Sequence, residues 1–207
     1  MLVHLRRSLV LAVICLVFFG FVYAFAGVGV SQLLFKHQAD GSLTANGSTL
    51  IGQNWAATKC PGNPLGSCVF HGRPDDTGPY AANPKDGVSG GDNPLVANGV
   101  SGESSATNLG PRSKVLLANT KALVAYWQKL GVVPTVDLVT TSGSGLDPDI
   151  SALDATVQIP MVSKATGISP TKLRALIAKE THGAQWGFLG SSYVDVLQLN
   201  EDLAALH

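Results

Sequence analysis

Between Arg7 and Lys36 the chain carries no charged side chain, and from Leu9 to Val30 it is almost wholly apolar. No other stretch limits the fold as strongly. Twenty-two residues of helix reach about 33 Å, enough for a hydrocarbon core of roughly 30 Å. Such a run is either a retained membrane anchor or the core of a signal peptide, and Ala24-Phe25-Ala26 has the form of a cleavage site. The anchor is preferred, because the apolar run continues past that site. Arg6 and Arg7 precede it, and the positive-inside rule assigns them to the cytoplasm. The expected layout is a cytoplasmic N-terminus at 1–7, a transmembrane helix at 8–30 and one extracytoplasmic domain at 31–207, in a single-pass protein of the cell membrane. Both readings place the bulk of the chain outside the cytoplasm.

The rest of the chain is close to neutral. Basic and acidic residues number 14 each, and setting aside Arg6 and Arg7 leaves twelve against fourteen. No cluster of lysine or arginine remains to grip nucleic acid or an anionic membrane surface, so no nucleic-acid partner is expected. The cysteines are Cys15, inside the apolar run, and Cys60 and Cys68, which bracket Pro-Gly-Asn-Pro-Leu-Gly-Ser. Without a C-x-x-C or a nearby histidine pair, zinc is not expected. In an oxidising compartment Cys60 and Cys68 are a candidate disulfide.

Past the apolar run, the most informative segment is V-D-L-V-T-T-S-G-S-G-L-D-P-D-I-S, residues 136–151. Val136, Leu138 and Thr140 alternate with Asp137 and Val139, which predicts a strand. Ser142, Gly143, Ser144 and Gly145 then form a turn, with both glycines expected at positive φ. Asp147-Pro148 reads as a cap and first-turn proline. Ser151, with Asp154 three residues on, offers a second helix start. Such a loop is either a well-capped turn or an anion cradle built from backbone N–H groups. It lacks the G-x-x-x-x-G-K-[ST] pattern and any lysine or arginine, which favours the turn.

The other elements are coarser. A strand is expected at Ser48–Gln53. Residues 54–112 are rich in Gly, Pro, Asn and Ser, a loop-rich region suited to a binding surface. Within it Arg73, between Gly72 and Pro74, is placed to pair with a carboxylate in the fold or on a partner. Ser113 to Leu130 reads as an amphipathic helix, capped by Ser113 and ended by Gly131, with Trp127 and Tyr126 as core and rim. A helix from Ser151 is expected to stop before Pro160. Another is capped by Ser169, with Pro170 first and His182-Gly183 closing it. Tyr193–Leu199 reads as a strand and Asn200 as the cap of a short terminal helix. Together these predict an α+β domain, a small sheet with packed helices, behind one transmembrane helix.

Chemistry of its own is not expected. Ser144 has Ser142 where G-x-S-x-G needs glycine. Ser169-Pro170-Thr171-Lys172 matches S-x-x-K but lacks its companion motifs, so it is a cap beside a solvated lysine. The five histidines are scattered, with no metal-spaced pair. No catalytic residue, metal or cofactor of its own is assigned. Asp147 and Asp149 are explained more simply by capping than as an acid pair.

The 136–151 motif resembles the central motif of the C subunit of the Kdp potassium-transporting P-type ATPase, the KdpC family. Other blocks match in the same order: G-S-T-L-I-G-Q at 47–53, F-H-G-R-P at 70–74, N-L-G-P at 108–111, Gln158-Ile159-Pro160, and G-F-L-G with V-D-V-L-Q-L-N within 187–200. The resemblance implies an accessory, non-catalytic subunit of an ATP-driven potassium uptake complex. Its implied partners are a channel-like potassium-binding subunit, the P-type ATPase subunit and a small membrane subunit. The family is described as a catalytic chaperone that raises ATP affinity, so ATP enters only at the level of the complex. The motif residues Ser142, Gly143, Ser144, Gly145, Asp147 and Asp149 become candidate nucleotide or partner contacts, with Arg73 a candidate partner contact. The chain departs from the family pattern at Asp149, where histidine is usual, at Met161, where arginine is common, and at Asp195, where asparagine is usual. The Cys60–Cys68 segment looks like an insertion. The alternative reading is a membrane-anchored extracytoplasmic binding module unrelated to ATPases.

Overall fold

The computed structural model describes residues 2–53, 55, 58–74, 104 and 106–206. Much of the expected loop-rich region at 54–112 lies outside the described residues. The chain divides into two compact units, Met1–Ser48 and Thr49–His207.

The first unit is dominated by the apolar run. Helix α1 (Leu2–Val17) passes through a wider π turn at Phe18–Val22 into α2 (Tyr23–Leu34). The result is a 33-residue helical span with an uncharged apolar window, long and apolar enough to cross a membrane. Every residue from 2 to 30 is exposed, and a helix whose apolar side chains are exposed all round suits a lipid solvent. A short helix, α3 (Lys36–Ala39), follows. The strand expected at Ser48–Gln53 does not form. Ser48 makes only an isolated bridge to Leu43, while the Gly52 N–H leaves to the Leu146 carbonyl at 2.8 Å.

The second unit begins its regular structure with α4 (Lys114–Lys129). The Ser113 side chain accepts from the Leu116 N–H, and Gly131 at φ +77° ends the helix. Leu123 and Trp127 face the core, with Tyr126 at its margin. The strand expected over 136–140 is instead a short 3-10 turn at Asp137–Val139. The alternation misled because Leu138 and Val139 are both buried while Val136 is exposed. The Trp127 indole N–H donates to the Leu138 carbonyl at 2.9 Å, and the Leu138 N–H is oriented toward the Thr135 hydroxyl at 3.4 Å.

Strand β1 (Asp149–Ile150) leads into α5 (Ala152–Thr166). Ser151 and Asp154 form a reciprocal capping box at the start of α5, so the cap is Ser151 rather than Asp147. The helix does not stop at Pro160 as expected. A mid-helix proline costs about 3 kcal/mol. Burying Ile159, Met161 and Val162 on that same stretch returns roughly 1.5–3 kcal/mol each, so packing outweighs the break. Helix α6 (Pro170–Lys179) starts on the Ser169 cap and closes at Glu180, not at His182. His182 belongs to β2 (Thr181–His182). The strand expected to reach Leu199 is only β3 (Tyr193–Asp195), and α7 (Val196–Ala204) follows directly. Its cap is Asp195, accepting from the Gln198 N–H at 2.9 Å.

The sheet is antiparallel in the order β1-β3-β2. Asp149 faces Asp195 and Ile150 faces Val194 on one side; Thr181 and His182 pair with Val194 and Tyr193 on the other. Helix α5 packs on α6, α6 on α7, and α5 and α7 on β3. Phe70, Trp127, Leu138, Val162, Leu173 and Leu199 are fully buried between them. The expected α+β architecture, one long apolar helix and a small sheet with packed helices, is what the chain adopts.

Candidate functional site

Parts of four of the resembling segments, Gly52, the 136–151 loop, Gln158 and Asn200, gather around one extended stretch, Phe70 to Arg73. No strand of the sheet pairs with it, so its backbone groups need other partners. Two buried carboxamides supply them. Asn200 of α7 accepts from the Phe70 N–H and donates to the Phe70 carbonyl, both at 2.8 Å. Gln158 of α5 accepts from the His71 N–H at 2.8 Å and donates to the His71 carbonyl at 3.0 Å. Asn200 is therefore a clasp inside α7, not a cap. Sequence reading missed both roles. The available signal was an amide beside apolar residues, Gln158 between Val157 and Ile159 and Asn200 after Leu199.

The His71 ring is fully buried against Trp127, with centroids 5.3 Å apart, and lies 2.7 Å from the Gly66 carbonyl through Nε2. Burial drives its pKa down to about 4, so the ring is neutral and Nε2 donates. Gly66 belongs to the segment closed by a disulfide between Cys60 and Cys68, whose Cα atoms are 5.7 Å apart. Asn63 fastens that segment to the end of α5 by donating to the Ala165 carbonyl at 3.3 Å.

Arg73 turns inward, toward the 136–151 loop. Its guanidinium donates to the Thr141 carbonyl at 2.9 Å. It lies between Asp137 at 4.0 Å and Asp147 at 3.9 Å. Gly52 approaches from the other side, and a Cβ there would sit 2.7 Å from the Asp147 carbonyl oxygen. The serines organise the loop from within. The Ser142 hydroxyl, nearly buried, accepts from the Gly145 N–H at 3.0 Å, and Ser144 accepts from the Leu146 N–H at 3.2 Å. Asp147 accepts from the Asp149 N–H at 3.1 Å, a local turn that leads into β1 instead of a helix. Gly145 has φ +71° as expected, but Gly143 is not among the positive-φ residues, and a Cβ there would meet nothing within 4 Å.

The surroundings of the loop are acidic. Burial pushes the Asp149 carboxyl up to about 6, helped by Asp195 and then Asp147, with His182 opposing. Asp195 is raised as well, chiefly by burial and against its capping bonds to the N–H groups of Gln198 and Leu197. A triphosphate needs free N–H donors and cations. Here the N–H groups of residues 145, 146 and 149 are bonded within the loop, Arg73 is engaged, and three carboxylates stand close by. These residues do not fit a triphosphate. They do fit a rigid connector that ties Gly52, the 70–73 stretch, the 136–151 loop, Gln158 and Asn200 together within the second unit.

Comparison with known proteins points to one family. The family model described as "KdpC: K+-transporting ATPase, c chain" matches residues 5–205. Among curated proteins, the potassium-transporting ATPase KdpC subunit of Rhodopseudomonas palustris is 40 % identical, covering 99 % of this chain and 98 % of its own. That of Methylorubrum extorquens is 39 % identical over 97 % and 96 %. That of Caulobacter vibrioides is 37 % identical over 99 % and 94 %.

Proposed function

The chain belongs to the KdpC family, and from that premise we propose that it serves as the C subunit of a potassium-transporting ATPase complex. The observation that carries the reading is similarity over nearly the full length, anchor included, with relatives that bear that name. The partners in this reading are the channel-like potassium-binding subunit, the P-type ATPase subunit and a small membrane subunit. This chain contributes assembly and stability rather than a reaction.

The positive-inside rule assigns Arg6 and Arg7 to the cytoplasm and the second unit to the outside. The Cys60–Cys68 disulfide suits an oxidising compartment and supports that orientation. ATP is cytoplasmic, so a gain in the ATP affinity of the pump reaches the ATPase subunit through assembly and the membrane helix. The internally bonded 136–151 loop supports this indirect route.

Co-purification tests the reading. With this chain tagged and the membrane gently solubilised, a P-type ATPase is expected to come with it. Recovery of the chain without one would overturn the assignment.

A further inference from the structure

The turn from Gln185 to Leu189 takes no part in the site described above. It is closed by two backbone bonds: the Gln185 N–H donates to the Leu189 carbonyl and the Leu189 N–H to the Gln185 carbonyl, both at 2.9 Å. Gly187 and Gly190 have φ of +82° and +79°, and Trp186 itself has φ +51°. Glycine adopts that region freely; a tryptophan is held there against its own sterics. The result is an outward tip. Trp186 is 85 % exposed, Phe188 74 % and Leu189 44 %. By contrast Trp127 is fully buried and Trp55 packs against the core. No charged side chain occurs from Gly183 to Val194.

We propose that this turn is an interfacial anchor that seats Trp186 and Phe188 at the headgroup–acyl boundary of a bilayer. The proposal rests on the membrane-anchored reading above. An indole combines an apolar body with an N–H that reaches headgroup or ester oxygens, which is why aromatic residues collect at that boundary. Docking on anionic lipid by charge needs lysine or arginine, and the turn has none, so the lipid class is zwitterionic as readily as anionic. The Leu2–Leu34 span is covalently continuous with the unit that carries the turn. Anchoring therefore supplies a high effective concentration of lipid to a tip whose own affinity is weak.

The experiment uses the full chain reconstituted into phosphatidylcholine vesicles, with ordinary or brominated acyl chains. The Trp186 emission is taken as the difference between the natural chain and Trp186→Phe. Brominated lipid is expected to quench that difference at least twofold, equally with and without added phosphatidylglycerol, and aqueous acrylamide is expected to quench it poorly. Phe188→Ser is expected to weaken the bromine effect while Trp186 remains in place. Emission open to acrylamide and unaffected by bromine would overturn the proposal while leaving the anchor reading intact. So would emission shielded from both quenchers only after the ATPase partners are added, which would mark a protein surface. Failure of the full chain to float with the vesicles would overturn the anchor reading, and this proposal with it.

Discussion

At Gly52 an added Cβ would lie 2.7 Å from the backbone oxygen of Asp147 and 3.3 Å from its carbonyl carbon, and backbone cannot swing aside as a side chain can. Gly52→Ala is therefore expected to destabilise the second unit by about 1–3 kcal/mol. Gly143→Ala, in open space at an ordinary φ, is expected to stay within about 0.5 kcal/mol. Chemical denaturation of both variants in detergent checks the pair, and equal effects would mean that the close approach is not as described. Asn200→Ala orphans both buried backbone groups of Phe70, each worth about 1–3 kcal/mol when left unpaired, so its loss is expected to exceed that of either glycine. Asp149 and His71 work in opposite directions with pH. The Asp149 pKa of about 6 lies above its unfolded value of 3.8, so its favourable contribution is complete below pH 3.8 and is lost as pH rises through 6. Asp149→Asn is expected to stabilise the fold at pH 7, by no more than ~1 kcal/mol once discounted for its half-exposed position. The His71 pKa of about 4 lies below its unfolded 6.5. Its contribution is therefore complete above pH 6.5 and declines as pH falls toward 4. In Asp149→Asn the acid loss due to His71 is expected to emerge more steeply between pH 6.5 and 4. An unchanged slope in denaturation midpoints across that window would contradict the assignment.

Among the elements, the Cys60–Cys68 segment closes a loop of about nine residues, worth roughly 2.5 kcal/mol on the chain-entropy model. It also carries the Gly66 carbonyl that His71 uses and the Asn63 contact to α5. Mass spectrometry after alkylation of unreduced protein is expected to find both thiols protected. Reduction is expected to lower stability by more than loop entropy alone, because those two contacts loosen with it. Two freely labelled thiols in freshly isolated protein would remove this brace. The 136–151 loop belongs to the same scale. Asp147→Ala removes a turn bond and a neighbour of Arg73 and is expected to cost about 0.5–1 kcal/mol, with assembled pump falling in proportion. Normal assembly with a raised ATP requirement on the same preparation would instead make the loop a nucleotide contact.

For the whole molecule, the testable quantity is orientation. Protease added to intact spheroplasts is expected to digest the second unit. Protection there, with digestion only after lysis, would reverse the topology and reopen direct contact with cytoplasmic ATP. Different physics governs each unit: the charge flanking the apolar span is what the protease experiment reads, while packing among α5, α6, α7 and β3 makes the second unit a body of its own.

What the sequence determined alone were features set by local chemistry or by composition. The uncharged run from residue 8 to 35 dictated a long apolar helix because a single segment satisfies its own backbone in lipid only as a helix. Ser113, Ser151 and Ser169 marked three helix starts because a cap needs only its own first turn. Gly145 took the positive φ expected of it, though Gly143 did not, and Gly131 ended α4 as expected. Tertiary structure decided the rest, where distant groups override local preference. Pro160 stays inside α5 because the apolar residues around it are buried. The 136–140 alternation yields a 3-10 turn because Trp127 and Thr135 claim Leu138. Asn200 and Gln158 serve neither cap nor surface, because the Phe70–His71 backbone, 130 and 87 residues away in sequence, has no strand to pair with. A side chain's partner at that separation leaves no periodicity in the sequence, so only the folded chain could assign it.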